Sequence, residues 1–99
     1  MAQGERLQDL GDAELVRRCR DGEREAFDVI ALRYLGVMHA VAFARLADRD
    51  AAEDLVQEVM LRAFMQIDRL QKPASLGPWL TRITRNMALN WLRDGRTRS

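Results

Sequence analysis

Cysteine and histidine occur once each in the 99 residues, at Cys19 and His39, so neither an internal disulfide nor a His/Cys cluster at metal-ligand spacing is encoded. Cys19 is expected to pack between the first two helices, and His39 to lie on the second helix at or near the surface. Only two prolines, Pro73 and Pro78, interrupt the chain, and no run alternates apolar and polar residues long enough to argue for a sheet. No apolar segment reads as long enough to span a bilayer, and Met1 to Asp12 is polar where a secretory signal would be apolar. The expectation is a cytoplasmic protein without membrane insertion. A nucleophile beside a base, a glycine loop that cradles phosphate and a carboxylate pair off the surface are all missing, which argues against an enzyme and against a bound cofactor.

What the chain does hold is charge, sorted along its length. Residues 1–58 carry 8 Arg against 13 Asp or Glu, whereas residues 59–99 carry 8 Arg or Lys against 2 Asp. Such asymmetry points to an acidic surface for one partner and a basic one for another, and nucleic acid is the natural partner of an Arg-rich end; uneven solvation charge is the alternative. With 47% apolar and 31% charged residues, the length suits one domain burying about two thirds of its unfolded-chain surface.

Helical periodicity divides that domain into four. The first helix is expected to start at Asp12, with its carboxylate as N-cap, to bury Leu15, Val16 and Cys19, and to end at Asp21-Gly22. The second runs from about Glu23 to Leu46 with Ala26, Phe27, Ile30, Tyr34, Met38, Val41 and Ala42 at three- and four-residue steps. The third begins after Asp50, where Glu53 suggests a capping box, and its apolar stripe is Leu55, Val56, Val59, Met60, Ala63, Phe64 and Ile67. The period fails between Leu70 and Ser75, which predicts a loop, with Ser75 capping a fourth helix that tolerates Pro78 in its first turn and reaches about Arg93. The fold class is therefore all-α, a compact four-helix bundle.

Two helices carry faces beyond those the core needs. On the third, Asp54, Gln57, Glu58, Leu61 and Met65 lie opposite the core stripe, an acidic rim around large apolar groups that suits docking of a basic, apolar-faced helix; a merely solvated face is the alternative. On the fourth, Leu80, Ile83, Met87 and Trp91 point inward while Arg82, Arg85, Asn86, Asn90, Arg93 and Arg96 populate the rest. Arg anchors phosphate or pairs bidentately with guanine and Asn with adenine, so this is the residue chemistry of a nucleic-acid-reading helix. Trp79 either offers a flat face to an unpaired base or plugs the core.

Together the strings DAAEDLVQE from Asp50 to Glu58, LRAF from Leu61 to Phe64 and PWLTRITRN from Pro78 to Asn86, with Ala26-Phe27 and Leu92-Arg93, resemble the second region of extracytoplasmic-function sigma factors. The likeness covers Asp12 to Arg98. It implies a bundle of the sigma region 2 type over residues 12–96, preceded by a polar lead-in at 1–11 and followed at 97–99 by the start of a linker, with the -35-reading region 4 absent. It further implies that the third helix, through Asp54, Gln57, Glu58 and Leu61, with Met65 beside them, grips the clamp helices of the polymerase beta-prime subunit. Arg82 and Asn86 match positions that touch promoter DNA. The loop over Leu70, Gln71, Lys72 and on to Leu76 corresponds to the pocket that takes a flipped base of the non-template single strand of the -10 element.

The chain departs from the family at Leu70 and Leu76, where aromatics are common, and at Gly77-Pro78; each missing aromatic would remove stacking worth about 1–3 kcal/mol per base. An anti-sigma factor is the further partner the resemblance implies. The alternative function is a sigma-like decoy that binds an anti-sigma factor without engaging DNA, although a decoy has no need of Arg82, Arg85, Arg93, Arg96 and Arg98.

Overall fold

The computed structural model describes residues 6–95, and within them every regular element is helical. Four α-helices, α1 (Asp12–Arg20), α2 (Arg24–Leu46), α3 (Arg49–Gln66) and α4 (Leu76–Arg93), are joined by short turns, with 3-10 turns at Leu7–Asp9, Ile67–Arg69 and Pro73–Ser75. This is the expected four-helix bundle. α2 packs against the other three helices, and α1 lies across α2 and the two 3-10 turns between α3 and α4.

The helix starts differ in detail from expectation, for a local reason in each case. At α1 the N-cap is Gly11, with extended backbone and no side-chain bond; the Asp12 carboxylate instead accepts from the Tyr34 hydroxyl and, at 3.0 Å, from Arg33 Nη1. An expected cap is thus a tie between helices. α3 starts one residue before Asp50, because Ala47 adopts a left-handed conformation (φ 54°) that throws Asp48 into extended backbone, where its carboxylate accepts from the Ala51 amide at 3.0 Å. Glu53 is exposed and plays no part in the cap. Ser75 does precede α4, but its side chain makes no cap bond, and the second half of the stretch expected as loop, Pro73–Ser75, is a 3-10 turn. Asp21-Gly22 closes α1 as expected, with Gly22 at φ 98° and the Glu23 amide donating to the Arg18 carbonyl at 3.0 Å.

The core is formed by Leu15 and Val16 of α1, Ala26, Phe27, Ile30, Met38, Ala42 and Leu46 of α2, and Ala52, Leu55, Val56, Val59 and Ala63 of α3, with Ile67 just beyond it. α4 contributes Leu76, Leu80, Met87, Ala88 and Trp91, plus Thr84, whose hydroxyl donates to the Leu80 carbonyl at 2.8 Å and so enters the core satisfied. Cys19, Tyr34, Val41, Met60 and Ile83 are only half-buried, and Phe64 is 36% exposed, at the margin of the stripe rather than inside it. Burial and the nearby Asp68 and Asp28 carboxylates raise the Cys19 thiol above its ordinary value.

One exclusion drawn from the sequence does not hold. α2 is, by length and composition, apolar enough to cross a bilayer, since residues 29–46 carry only Arg33 and Arg45. Its inward side serves the core, while Leu32, Leu35, Val37 and Phe43 stay exposed.

Candidate nucleic-acid and protein interfaces

A hollow of about 860 Å³ opens between α2, the two 3-10 turns and the start of α4. Its lining brings together Gln71, Lys72, Trp79, Arg82 and Arg85, all expected from the sequence, and adds Arg69, Tyr34 and Thr81, which were not. Four cations, Arg69, Lys72, Arg82 and Arg85, border it and no lining residue is acidic. All four are exposed, so water and counterions screen their mutual repulsion until a polyanion replaces them.

Two aromatic groups face the same space. Trp79 is half-buried, packed against the core and also lining the hollow. Tyr34 reaches it from α2, and its ring stands 3.2 Å from where a Cβ on Gly77 would sit, so the glycine lets the first turn of α4 seat on that ring. Burial and the hydrogen bond to Asp12 push the Tyr34 hydroxyl up to about 12, which keeps it a neutral donor at any physiological pH.

One expected loop contact, Leu76, is corrected here. Leu76 is fully buried and does not line the hollow, whereas Leu70 is 4% exposed, packed in the core, and still borders it. The reason is hydrophobic: these are the last and first large aliphatic groups available to close the bundle beneath the loop. Asn86, Asn90 and Arg93 are exposed and continue along α4 away from the hollow, about 10 Å from Asn86 to Arg93 at 1.5 Å per residue. The Arg93 guanidinium donates to the Asn90 side-chain carbonyl. Arg96 lies outside the described residues. Arg69 was legible as a cation two residues before Gln71, whereas nothing local signalled Tyr34, 43 residues before Gly77.

On α3, Asp54 and Gln57 are exposed, Glu58 is half-buried, and Leu61 and Met65 are 64% and 77% exposed. The predicted face is therefore outward. It does not belong to α3 alone. Leu61 borders a hollow of about 370 Å³ with Arg24, Phe27, Asp28, Met60 and Phe64, in which the Phe27 and Phe64 rings meet edge to face at 5.2 Å and Arg24 lies 5.6 Å from the Phe64 ring centre. Gln57 borders another, about 530 Å³, with Leu35, Gly36, His39 and Glu53. The α2 contribution escaped sequence reading because those residues follow the same helical period as the core.

The described residues thus form an all-helical bundle with an apolar-centred face on α3 and, apart from it, a hollow whose charged lining residues are all basic. The Sigma-70 region 2 family matches residues 30–98 of this chain, and the chain belongs to that family. A probable RNA polymerase sigma factor, RfaY, of Xanthomonas campestris is 42% identical over 77 residues, covering 78% of this chain and 19% of that protein. The ECF RNA polymerase sigma-E factors of Haemophilus influenzae and Escherichia coli K12 are 32% and 33% identical, each over 84% of this chain and 43% of their own length. The chain thus spans less than half the length of these relatives. Its sequence and fold are those of region 2 of the extracytoplasmic-function type.

Proposed function

We propose that this domain docks core RNA polymerase on the α3 face and captures the opened non-template strand of the -10 promoter element in the basic hollow, as part of an alternative sigma factor acting in the cytoplasm. The observation that carries this reading is the hollow itself: four cations and two aromatic side chains around one opening, with no carboxylate among its lining residues. Phosphates are drawn by Arg69, Lys72, Arg82 and Arg85, and an unpaired base finds ring surface at Trp79 and Tyr34. Because Leu70 and Leu76 are core, those two rings stand in for the aromatics that relatives place in the loop.

Extruding a base costs a few kcal/mol of unstacking, and one or two aromatic contacts at about 1–3 kcal/mol each offset most of it. Melting is then driven by binding and requires no ATP. Docking through Asp54, Gln57, Glu58, Leu61 and Met65 supplies what the small hollow cannot: orientation, and a high local concentration of promoter. An anti-sigma factor competing for either surface would silence the domain. The test is transcription from a pre-melted template by core polymerase with and without this domain. Initiation that depends on the domain, and that weakens with Arg82→Ala plus Asn86→Ala, is the expected result; polymerase capture with no dependence on those side chains would leave a polymerase- or anti-sigma-binding module that does not engage DNA.

A further inference from the structure

We infer that α1, which lines no part of the basic hollow, holds it in its binding shape: Arg20 at one end fixes the loop wall through backbone carbonyls, and Asp12 at the other fixes the α2 wall through Tyr34. This rests on the reading of the hollow as a strand-capture site. Arg20 and Asp12 would be positioning residues, acting through groups that themselves touch the strand.

The loop wall has little to hold it. Between α3 and α4 the backbone bonds outside the helices are Leu70 amide to Ile67 carbonyl at 3.2 Å and Ser75 amide to Lys72 carbonyl at 2.7 Å, each a single 3-10 turn. Into this segment, 47 and 50 residues away in sequence, Arg20 donates one guanidinium nitrogen to the Leu70 carbonyl and, at 3.4 Å, to the Ile67 carbonyl. Leu70 is then held twice, by its buried side chain below and by a charged donor on its carbonyl. Gln71 and Lys72, the next two residues, inherit their position from it.

The opposite wall is fixed from the other end of the same helix. Asp12 accepts from the Tyr34 hydroxyl and from Arg33, which also donates to the Gln8 carbonyl at 3.0 Å, so the tyrosine ring is held in one orientation. Gly77 seats α4 directly on that ring. The two anchor residues are eight positions apart, about 12 Å along α1. α1 works as a brace across the back of the hollow.

Two readouts on the purified domain separate this role from general stability and from the DNA reading. The first is amide hydrogen exchange with no DNA present. Arg20→Ala should speed exchange at Leu70 and Ser75 about tenfold while amides at the centres of α2 and α4 keep wild-type rates, with Arg20→Lys restoring part of the protection. The second is anisotropy with a single-stranded -10 oligonucleotide and its abasic counterpart. Arg20→Ala and Tyr34→Phe should each narrow the preference for the intact strand severalfold without changing the salt dependence set by Arg82 and Arg85. Unchanged loop exchange, or faster exchange spread evenly over all helices, overturns the positioning role whatever the DNA does. A local loss of protection in a domain whose wild type ignores both strands would uphold the brace and overturn the strand-capture function.

Discussion

Leu55 and Leu61 stand on one helix, α3, yet Leu55 has no exposed surface and Leu61 is 64% exposed. Truncating each to alanine should therefore move two different measurements. Leu55→Ala removes a filled core position and costs about 2–5 kcal/mol of folding stability, which for a domain of this size lowers Tm by at least about 10 °C. Leu61→Ala should change stability by less than about 0.5 kcal/mol.

If Leu61 centres the polymerase contact, its remaining surface is buried on docking. Full burial of a leucine is worth about 1.5–3 kcal/mol, so the exposed fraction here corresponds to about 1–2 kcal/mol, or roughly 5- to 30-fold in Kd. The assay is a fluorescence titration of labelled domain with core polymerase, each variant first checked by thermal melting. A Leu61→Ala domain that melts like wild type and binds polymerase equally well would refute the reasoning, because it would show that the exposed surface of Leu61 is not buried on docking. Arg62, adjacent in sequence and also exposed, is a useful reversal control: Arg62→Glu should leave affinity unchanged or raise it if the partner helix is basic.

Gly77→Ala should gain nothing from the better helix propensity of alanine, about 1 kcal/mol, while the Tyr34 ring stands 3.2 Å from the new methyl; in a Tyr34→Ala background the same change should stabilise, and a double-mutant cycle by denaturant melts that shows no coupling would remove the close approach from the argument. Arg69→Ala should lower the slope of log affinity against log salt for single-stranded DNA by about 0.7, as expected for one lost phosphate contact, with no change in Tm; an unchanged slope would take Arg69 off the strand's path. Hydrogen bonds from Arg17 and Arg18 hold the Glu14 carboxyl down at about 2 against an ordinary 4.5. A depressed carboxyl stabilises the fold above its unfolded value and loses that contribution as pH falls, so the Tm difference between wild type and Glu14→Gln should be present at pH 6 and shrink steadily from about pH 4.5 toward pH 2. Because the group is solvent-accessible, that difference should be small and weaken with salt; one that grows in acid would contradict the assignment.

Local periodicity settled a good deal before any tertiary contact was considered. The number of helices, their approximate limits, the outward placement of Asp54, Gln57 and Leu61, and the basic edge of α4 at Arg82, Arg85 and Asn86 follow from residues three and four apart, which share a helix face whatever the fold.

What periodicity cannot reach is how faces from distant segments meet. Leu70 and Leu76 read as loop residues, yet both are core, because closing the bundle beneath a two-turn connection needs aliphatic volume more than the solvent does. Asp12 read as a cap, since carboxylates near a helix start usually serve that end; its partner Tyr34 lies a helix away and became available only once α1 lay across α2. Asp48 won the α3 cap over Asp50 because the left-handed turn at Ala47 leaves Asp48 extended, a backbone choice that composition does not record. The hollow draws Tyr34, Arg69 and Trp79 from three elements, and no sequence spacing relates them: side-chain period is a property of one helix, whereas a concave site is a property of the angles at which several helices pack.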